Sequence, residues 1–181
     1  LGDTGVAVNP KDERFGHLVG KTVKLPLVDR EIPIFADWHV DTEFGTGCVK
    51  VTPSHDPNDW AMGERAGLER INIFDETAHV VEGYGKFSGM DRDEAREAIV
   101  AAFDELGLLD HVEDHDHSVM TCYRCHTKLE PWESEQWFVA VDALKETAAR
   151  VVEDGSIQFH PARWKQVYLD LLANLKDWCI S

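Results

Sequence analysis

Residues 45–60 read GTGCVKVTPSHDPNDW, and no other stretch constrains this chain as much. Gly45 and Gly47, around Thr46, predict a turn or a close backbone approach that a side chain would block. CVKV, residues 48–51, predicts a strand that carries Lys50. Asp56-Pro57-Asn58-Asp59 then predicts a helix start, with Asp56 as N-cap, Pro57 at N1 and Asp59 in the first turn, near the positive end of the helix. Gly67 stops that helix. A cap contributes typically ~1 kcal/mol, which accounts for Asp56 without any function. One carboxylate is enough for the cap, so Asp59 is free to point elsewhere. A strand lysine and two carboxylates facing one cleft would suit a small polar substrate with an ammonium group. His55 adds a candidate base that could as easily pack or face water.

Upstream, VKLPLV (23–28) and EIPIF (31–35) predict two strands reversed at Asp29-Arg30. Pro26 and Pro33 demote both to edge or irregular positions. Downstream, INIFDETAHVV (71–81) predicts strand, turn and strand, and residues 82–89 a loop. MDRDEAREAIVAAFDELGLL (90–109) predicts the clearest helix, capped by Asp91 and ended at Gly107-Leu108, with Ile99, Ala102, Phe103 and Leu106 on one face. The texture changes over residues 113–139, which bring histidines, a CxxC and strand-like ends; a domain boundary is expected there, near residue 118. Two more helices follow. The first runs from Asp142 to Asp154, with Leu144, Ala148, Val151 and Val152 on one side. The second starts near Pro161 and carries a broad apolar stripe from Trp164 to Trp178. These elements predict an α/β chain.

The length suits one domain, or one domain and part of another. Lys and Arg number 18 against 34 Asp and Glu, a formal charge of −16. That argues against wrapping nucleic acid through bulk electrostatics, although a local basic patch remains compatible with RNA. No apolar run is long enough for a membrane span, and the first residues have no signal-peptide pattern. The chain has no initiator methionine, and both ends fall in what look like structured segments; a piece of a longer protein is expected. Nucleotide-loop, serine-hydrolase and metalloprotease motifs do not occur.

Cys122 and Cys125 form half of a tetrahedral zinc site. His115, His117 and His126 lie close enough in sequence to complete it; the alternative is a second pair beyond the chain. A redox reading lacks the usual strand-then-helix frame.

LGDTGVAVNPKDERF (1–15), EIPIFADWHVDTEFGTGCVKVTPSHDPNDW (31–60), SGMDRDEAR (88–96), EPWESEQWFV (130–139) and FHPARWKQVYLDLLANLKDWCIS (159–181) together resemble the valyl-tRNA synthetases, in the same order and over nearly the whole chain. The resemblance implies an α/β fold in two parts. Residues 1–118 would be most of the inserted editing domain (connective peptide 1), with a mixed, barrel-like β core, flanking helices and its N-terminal strand missing. Residues 119–181 would be a Cys-containing junction and the start of the second half of the Rossmann-type catalytic core. The implied activity is hydrolysis of threonine wrongly attached to the valine tRNA. Lys50, Asp56 and Asp59 match the family's editing residues, and Asp59 would hold the α-amino group of the mischarged amino acid. Gly45, Thr46, Gly47 and His55 would help to bind the substrate.

The resemblance further implies no cofactor for editing, ATP and magnesium for the parent's aminoacylation, and zinc, if present, held by Cys122 and Cys125 together with a second pair past the chain end. Implied partners are the tRNA(Val) acceptor end carrying a threonyl ester and the remainder of the synthetase, in a cytoplasmic monomer with no membrane contact. The competing expectation is a non-catalytic, zinc-containing RNA-binding or docking module.

Overall fold

The computed structural model describes residues 1–114 and 116–181. They form two compact units, Leu1–Glu133 and Ser134–Ser181, each described by itself.

The first unit is built on a four-stranded mixed sheet of order β2-β3-β1-β4, from β1 (Gly5–Val8), β2 (Thr22–Leu25), β3 (Arg30–Ala36) and β4 (Cys48–Val51). β1 runs parallel to β3, with Val6 opposite Ile34, and antiparallel to β4, with Val6 opposite Lys50. β2 pairs antiparallel with β3. The expected reversal is there, and its backbone is left-handed at Leu27 and Asp29. Pro26 follows the edge strand β2, as a residue without an N–H donor should. Pro33 departs from expectation, because β3 is an inner strand. It is tolerated because the register with β1 begins one residue later, at Ile34, so its missing donor falls at the start of that ladder.

Helix α1 (Pro57–Ala66) lies against this sheet. Its cap is the expected one: Asp56 Oδ1 accepts the N–H groups of Asn58 at 2.7 Å and Asp59 at 3.0 Å. Gly67 closes it in the left-handed conformation, φ 64°. Met62 drives the packing, buried with Ala7, Val40 and Val51 and flanked by Phe35, Val49 and Leu68. Gly63 lets the helix come this close, since a Cβ there would sit 2.7 Å from Pro53 Cγ.

Residues 71–81 do not form two strands. Asp75 Oδ1 accepts from the N–H and hydroxyl of Thr77 and from the N–H of His79, so the turn's donors go to a side chain. Only single bridges remain, Phe74 to Val80 and His79 to Asp91. Helix α2 (Arg92–Glu105) starts on the Asp91 cap and ends at Gly107, φ 66°, with the Leu108 N–H returned to Phe103 O at 2.8 Å. Ala95 and Ala102 are buried with Val80 and Phe87, whereas Leu106 is exposed, contrary to its expected place on the apolar face.

The second unit holds β5 (Phe138–Val139), α3 (Asp142–Glu153), α4 (Trp164–Ala173) and β6 (Trp178–Cys179), with β5 and β6 antiparallel. Val141, Val152 and Leu172 are its buried apolar residues. Leu144 is exposed despite its helical spacing, and so are Trp164, Val167, Leu171 and Trp178 of the apolar stripe. Among the described residues no helix is long and apolar enough to cross a membrane.

Candidate functional site

The strand β4 and the start of α1 deliver their side chains to one place because only five residues separate them. Lys50, Asp56 and Asp59 all line a cavity of about 810 Å³, together with Gly45, Thr46 and His55. That size lies within the ~300–1,000 Å³ usual for small-molecule clefts. Gly47 is not part of its wall. It has φ 79°, and a Cβ there would meet Arg14 Nη2 at 2.6 Å, so this glycine makes room for the Arg14–Asp12 pair. That pair also holds the Asp12 carboxyl below its ordinary range.

Asp59 is 7% exposed, and its Oδ2 accepts the Thr52 N–H at 2.9 Å. Oδ1 has no partner among the described residues. Burial pushes the Asp59 carboxyl up, while the Thr52 N–H and the Lys50 charge pull the other way. A carboxylate so placed gains from the arrival of a cation.

Lys50 Nζ lies 3.1 Å from Thr52 Oγ1 and 3.8 Å from Asp3 Oδ1. The Thr52 hydroxyl donates to Asp3 Oδ1 at 2.5 Å. Asp3 and Thr52 were not singled out from the sequence. Both line the cavity, and Thr52 joins Lys50, Asp3 and Asp59 through its hydroxyl and its N–H. The only sequence signal for Asp3 is its place in the LGDT text. Arg30 holds that segment by donating from Nη2 to Leu1 O at 2.7 Å and Asp3 O at 2.9 Å. Gly2 permits its close approach, as a Cβ would stand 3.0 Å from Ile73 Cγ2. Cys48 also lines the cavity, with burial pushing its thiol up.

His55 has both ring nitrogens engaged. Nε2 accepts the Ile73 N–H at 2.9 Å, which leaves Nδ1 as the protonated nitrogen facing Pro131 O, also at 2.9 Å. The ring meets Phe74 edge-on, with centroids 5.3 Å apart. Burial lowers its pKa. With no lone pair left, this histidine braces the site, and the geometry offers no support for a base.

Its partner Pro131 belongs to a strap, residues 128–133, that holds several site elements. Glu133 accepts from Ser54 Oγ at 3.1 Å and from Arg70 Nη1 at 2.8 Å, and Glu133 O accepts from Asn72 Nδ2 at 2.8 Å. Trp132 Nε1 donates to Phe74 O at 3.0 Å, and Arg92 Nη1 to Lys128 O at 2.9 Å.

The strap follows the Cys122–Cys125 turn. Cys125 Sγ lies 3.2 Å from Thr127 Oγ1, and that contact leads those lowering its pKa to about 7. Among the described residues no group of three or more His, Cys, Asp or Glu side chains is arranged to hold a metal ion. His115, named above as a ligand candidate, lies outside the described residues. The two thiols alone do not fit a closed tetrahedral zinc site, which needs four donors.

The model of the tRNA synthetases class I (I, L, M and V) matches residues 5–181. The valine–tRNA ligases of Thermotoga maritima and Petrotoga mobilis are each 54% identical to the chain, and that of Geobacter sulfurreducens is 51% identical. Each match covers the whole chain, which spans about a fifth of the relative's length (20–21%). On a match over residues 5–181, and at that identity from end to end, the chain belongs to the class I tRNA synthetases and matches their valyl-tRNA ligase branch.

Proposed function

We propose that this chain is the editing part of a valine–tRNA ligase, hydrolysing the ester of threonyl-tRNA(Val). The observation that carries the reading is the convergence of Lys50, Asp56 and Asp59 on one cavity wall, with Asp59 buried and one carboxylate oxygen uncommitted. Asp59 anchors the α-ammonium of the mischarged threonine, and that charge offsets the burial of the carboxylate. Lys50, steadied by Thr52 and Asp3, and Asp56, through the oxygen its cap leaves over, orient the ester end, the threonine hydroxyl or the terminal adenosine. Water then attacks the ester carbonyl, and positioned donors stabilise the tetrahedral intermediate.

The need for such a site is physical. Valine and threonine are near-isosteres, and a hydrophobic pocket rejects the added hydroxyl by only about 10²-fold, a ratio known for the valine enzyme and not obtained from this structure. A second site that demands the hydroxyl excludes valine, which would leave the site's polar groups unpaired.

The barrel-like closure of the sheet, the boundary near residue 118 and the continuation into a Rossmann-type core belong to the same proposal. So do the tRNA and the rest of the synthetase as partners, a cytoplasmic monomer, and ATP with magnesium for aminoacylation. Deacylation of threonyl-tRNA(Val) by the full-length ligase tests the reading. Lys50→Ala, Asp56→Ala and Asp59→Ala are each expected to slow it while valine activation stays intact. Unchanged deacylation in all three would remove the reading.

A further inference from the structure

We infer that Glu133 is a positioning residue for the ester hydrolysis proposed above, a clip that joins the irregular segments of the cavity wall and so aims Asp56. The inference rests on that reading of the cavity.

The wall needs such a clip because part of it is not held by regular structure. Residues 52–56 join β4 to α1, and residues 70–74 precede the Asp75 turn; neither segment belongs to a helix or a named strand. Thr52, His55 and Asp56 of the first and Ile73 and Phe74 of the second all line the cavity. Without a ladder, such segments are held by whatever side chains take up their polar groups. Glu133 does this for both. Its Oε2 accepts the Ser54 hydroxyl at 3.1 Å, its Oε1 accepts from Arg70 Nη1 at 2.8 Å, and its main-chain O accepts from Asn72 Nδ2 at 2.8 Å. Glu133 is not itself part of the wall, so it acts through these partners.

Ser54 is the partner that matters for the chemistry. It is 5% exposed and lies between Thr52, whose N–H meets Asp59, and Asp56. The Glu133–Arg70 pair is partly exposed, and such pairs contribute little by themselves; its use is to hold the carboxylate toward Ser54. Once the acceptor is lost, a buried hydroxyl must find water or another partner, and the 52–56 connection moves to allow it. Asp56 Oδ1 stays tied to the N–H groups of Asn58 and Asp59. The direction of the other Asp56 oxygen follows the backbone that enters from Ser54 and His55. Asp59 belongs to α1 itself, so the ammonium anchor is disturbed less. The rate constant should therefore fall while substrate binding holds. A misplacement of about 1 Å can cost up to ~10²-fold in rate. His55 still ties the connection to Pro131 and Ile73, so a smaller loss, roughly tenfold, is expected.

The test measures threonyl-tRNA(Val) deacylation by the full-length ligase, with valine activation and thermal unfolding of each variant alongside. Glu133→Ala is expected to lower kcat roughly tenfold, with KM within about twofold of the parent and valine activation retained. Ser54→Ala should reproduce most of that loss, and Glu133→Gln, which keeps one acceptor oxygen, should recover part of it. The deciding comparison is a double-mutant cycle with Asp56. If Glu133 works by aiming Asp56, Glu133→Ala adds little to the loss already caused by Asp56→Ala, whereas a purely structural role makes the losses multiply. Multiplying losses, or a Glu133→Ala kcat within about twofold of the parent's, would overturn the inference. Unchanged deacylation by Asp56→Ala also overturns it, and places the fault in the reading of the cavity. If Glu133→Ala does not fold, Glu133→Gln carries the same cycle.

Discussion

Asp59→Asn separates the two jobs of this carboxylate. In the fold, Oδ2 accepts the buried Thr52 N–H at 2.9 Å, and an asparagine oxygen can do the same. In the proposed reaction, the negative charge holds an ammonium, and an amide cannot. A hydrogen bond to a charged group contributes about 1.5–3 kcal/mol. At ~1.4 kcal/mol per factor of ten, this corresponds to a roughly 10- to 100-fold fall in kcat/KM for threonyl-tRNA(Val) deacylation.

Stability should move the other way or not at all. Because burial raises the folded-state pKa of Asp59, the folded chain binds the extra proton between the unfolded value of 3.8 and that higher value. The charged form therefore opposes folding above this window, and the opposition fades as pH falls through it. Removing the charge is expected to leave stability at neutral pH equal or slightly greater. Asp59→Ala, by contrast, strands a buried N–H and is expected to cost about 1–3 kcal/mol. Deacylation kinetics of the full-length ligase and urea melts of the three proteins give both readings. A deacylation loss smaller than about threefold in Asp59→Asn, with the melt unchanged, would refute the ammonium anchor.

His55 titrates below its ordinary value because burial disfavours its charge, and its Nε2 already accepts the Ile73 N–H. Its contribution is therefore complete above about pH 6.5 and is lost as pH falls through the lowered value; His55→Gln should flatten that acid limb in denaturant titrations. Gly63→Ala adds a Cβ 2.7 Å from Pro53 Cγ. It is expected to lower stability by about 1–3 kcal/mol despite the better helix propensity of alanine, as thermal or urea unfolding will record. Asp3→Ala releases the Thr52 hydroxyl and the Lys50 ammonium from their shared carboxylate. Deacylation kinetics of the full-length variant should show a fall in kcat with valine activation retained.

Much of the first unit could be read from local text. Asp56, Pro57 and Gly67 mark α1, and Asp91 and Gly107 mark α2, because a cap is settled by hydrogen bonds within a few residues. The nearness of Lys50, Asp56 and Asp59 was equally legible, since a short strand-to-helix connection limits how far their side chains can separate. Residues 71–81 misled the pattern because the Asp75 side chain captured donors that a ladder would have used. Leu106 and Leu144 have helical spacing, yet spacing alone does not say what lies opposite them.

The tertiary structure decided whatever depends on residues far apart along the chain. Asp3 reaches Thr52 across 49 positions, and His55 reaches Pro131 across 76, so neither link leaves a mark in its own neighbourhood. The parallel pairing of β1 with β3, which sets Pro33 in an inner strand, is of the same kind. By itself the sequence determined the caps of α1 and α2, the strands β2, β3 and β4, and the family, because these rest on side chains within a few positions of one another or on text that can be matched. Which nitrogen of His55 is occupied, and which carboxylate steadies Lys50, followed only from the path of the backbone, because a hydrogen bond requires two atoms about 3 Å apart whatever their separation in sequence.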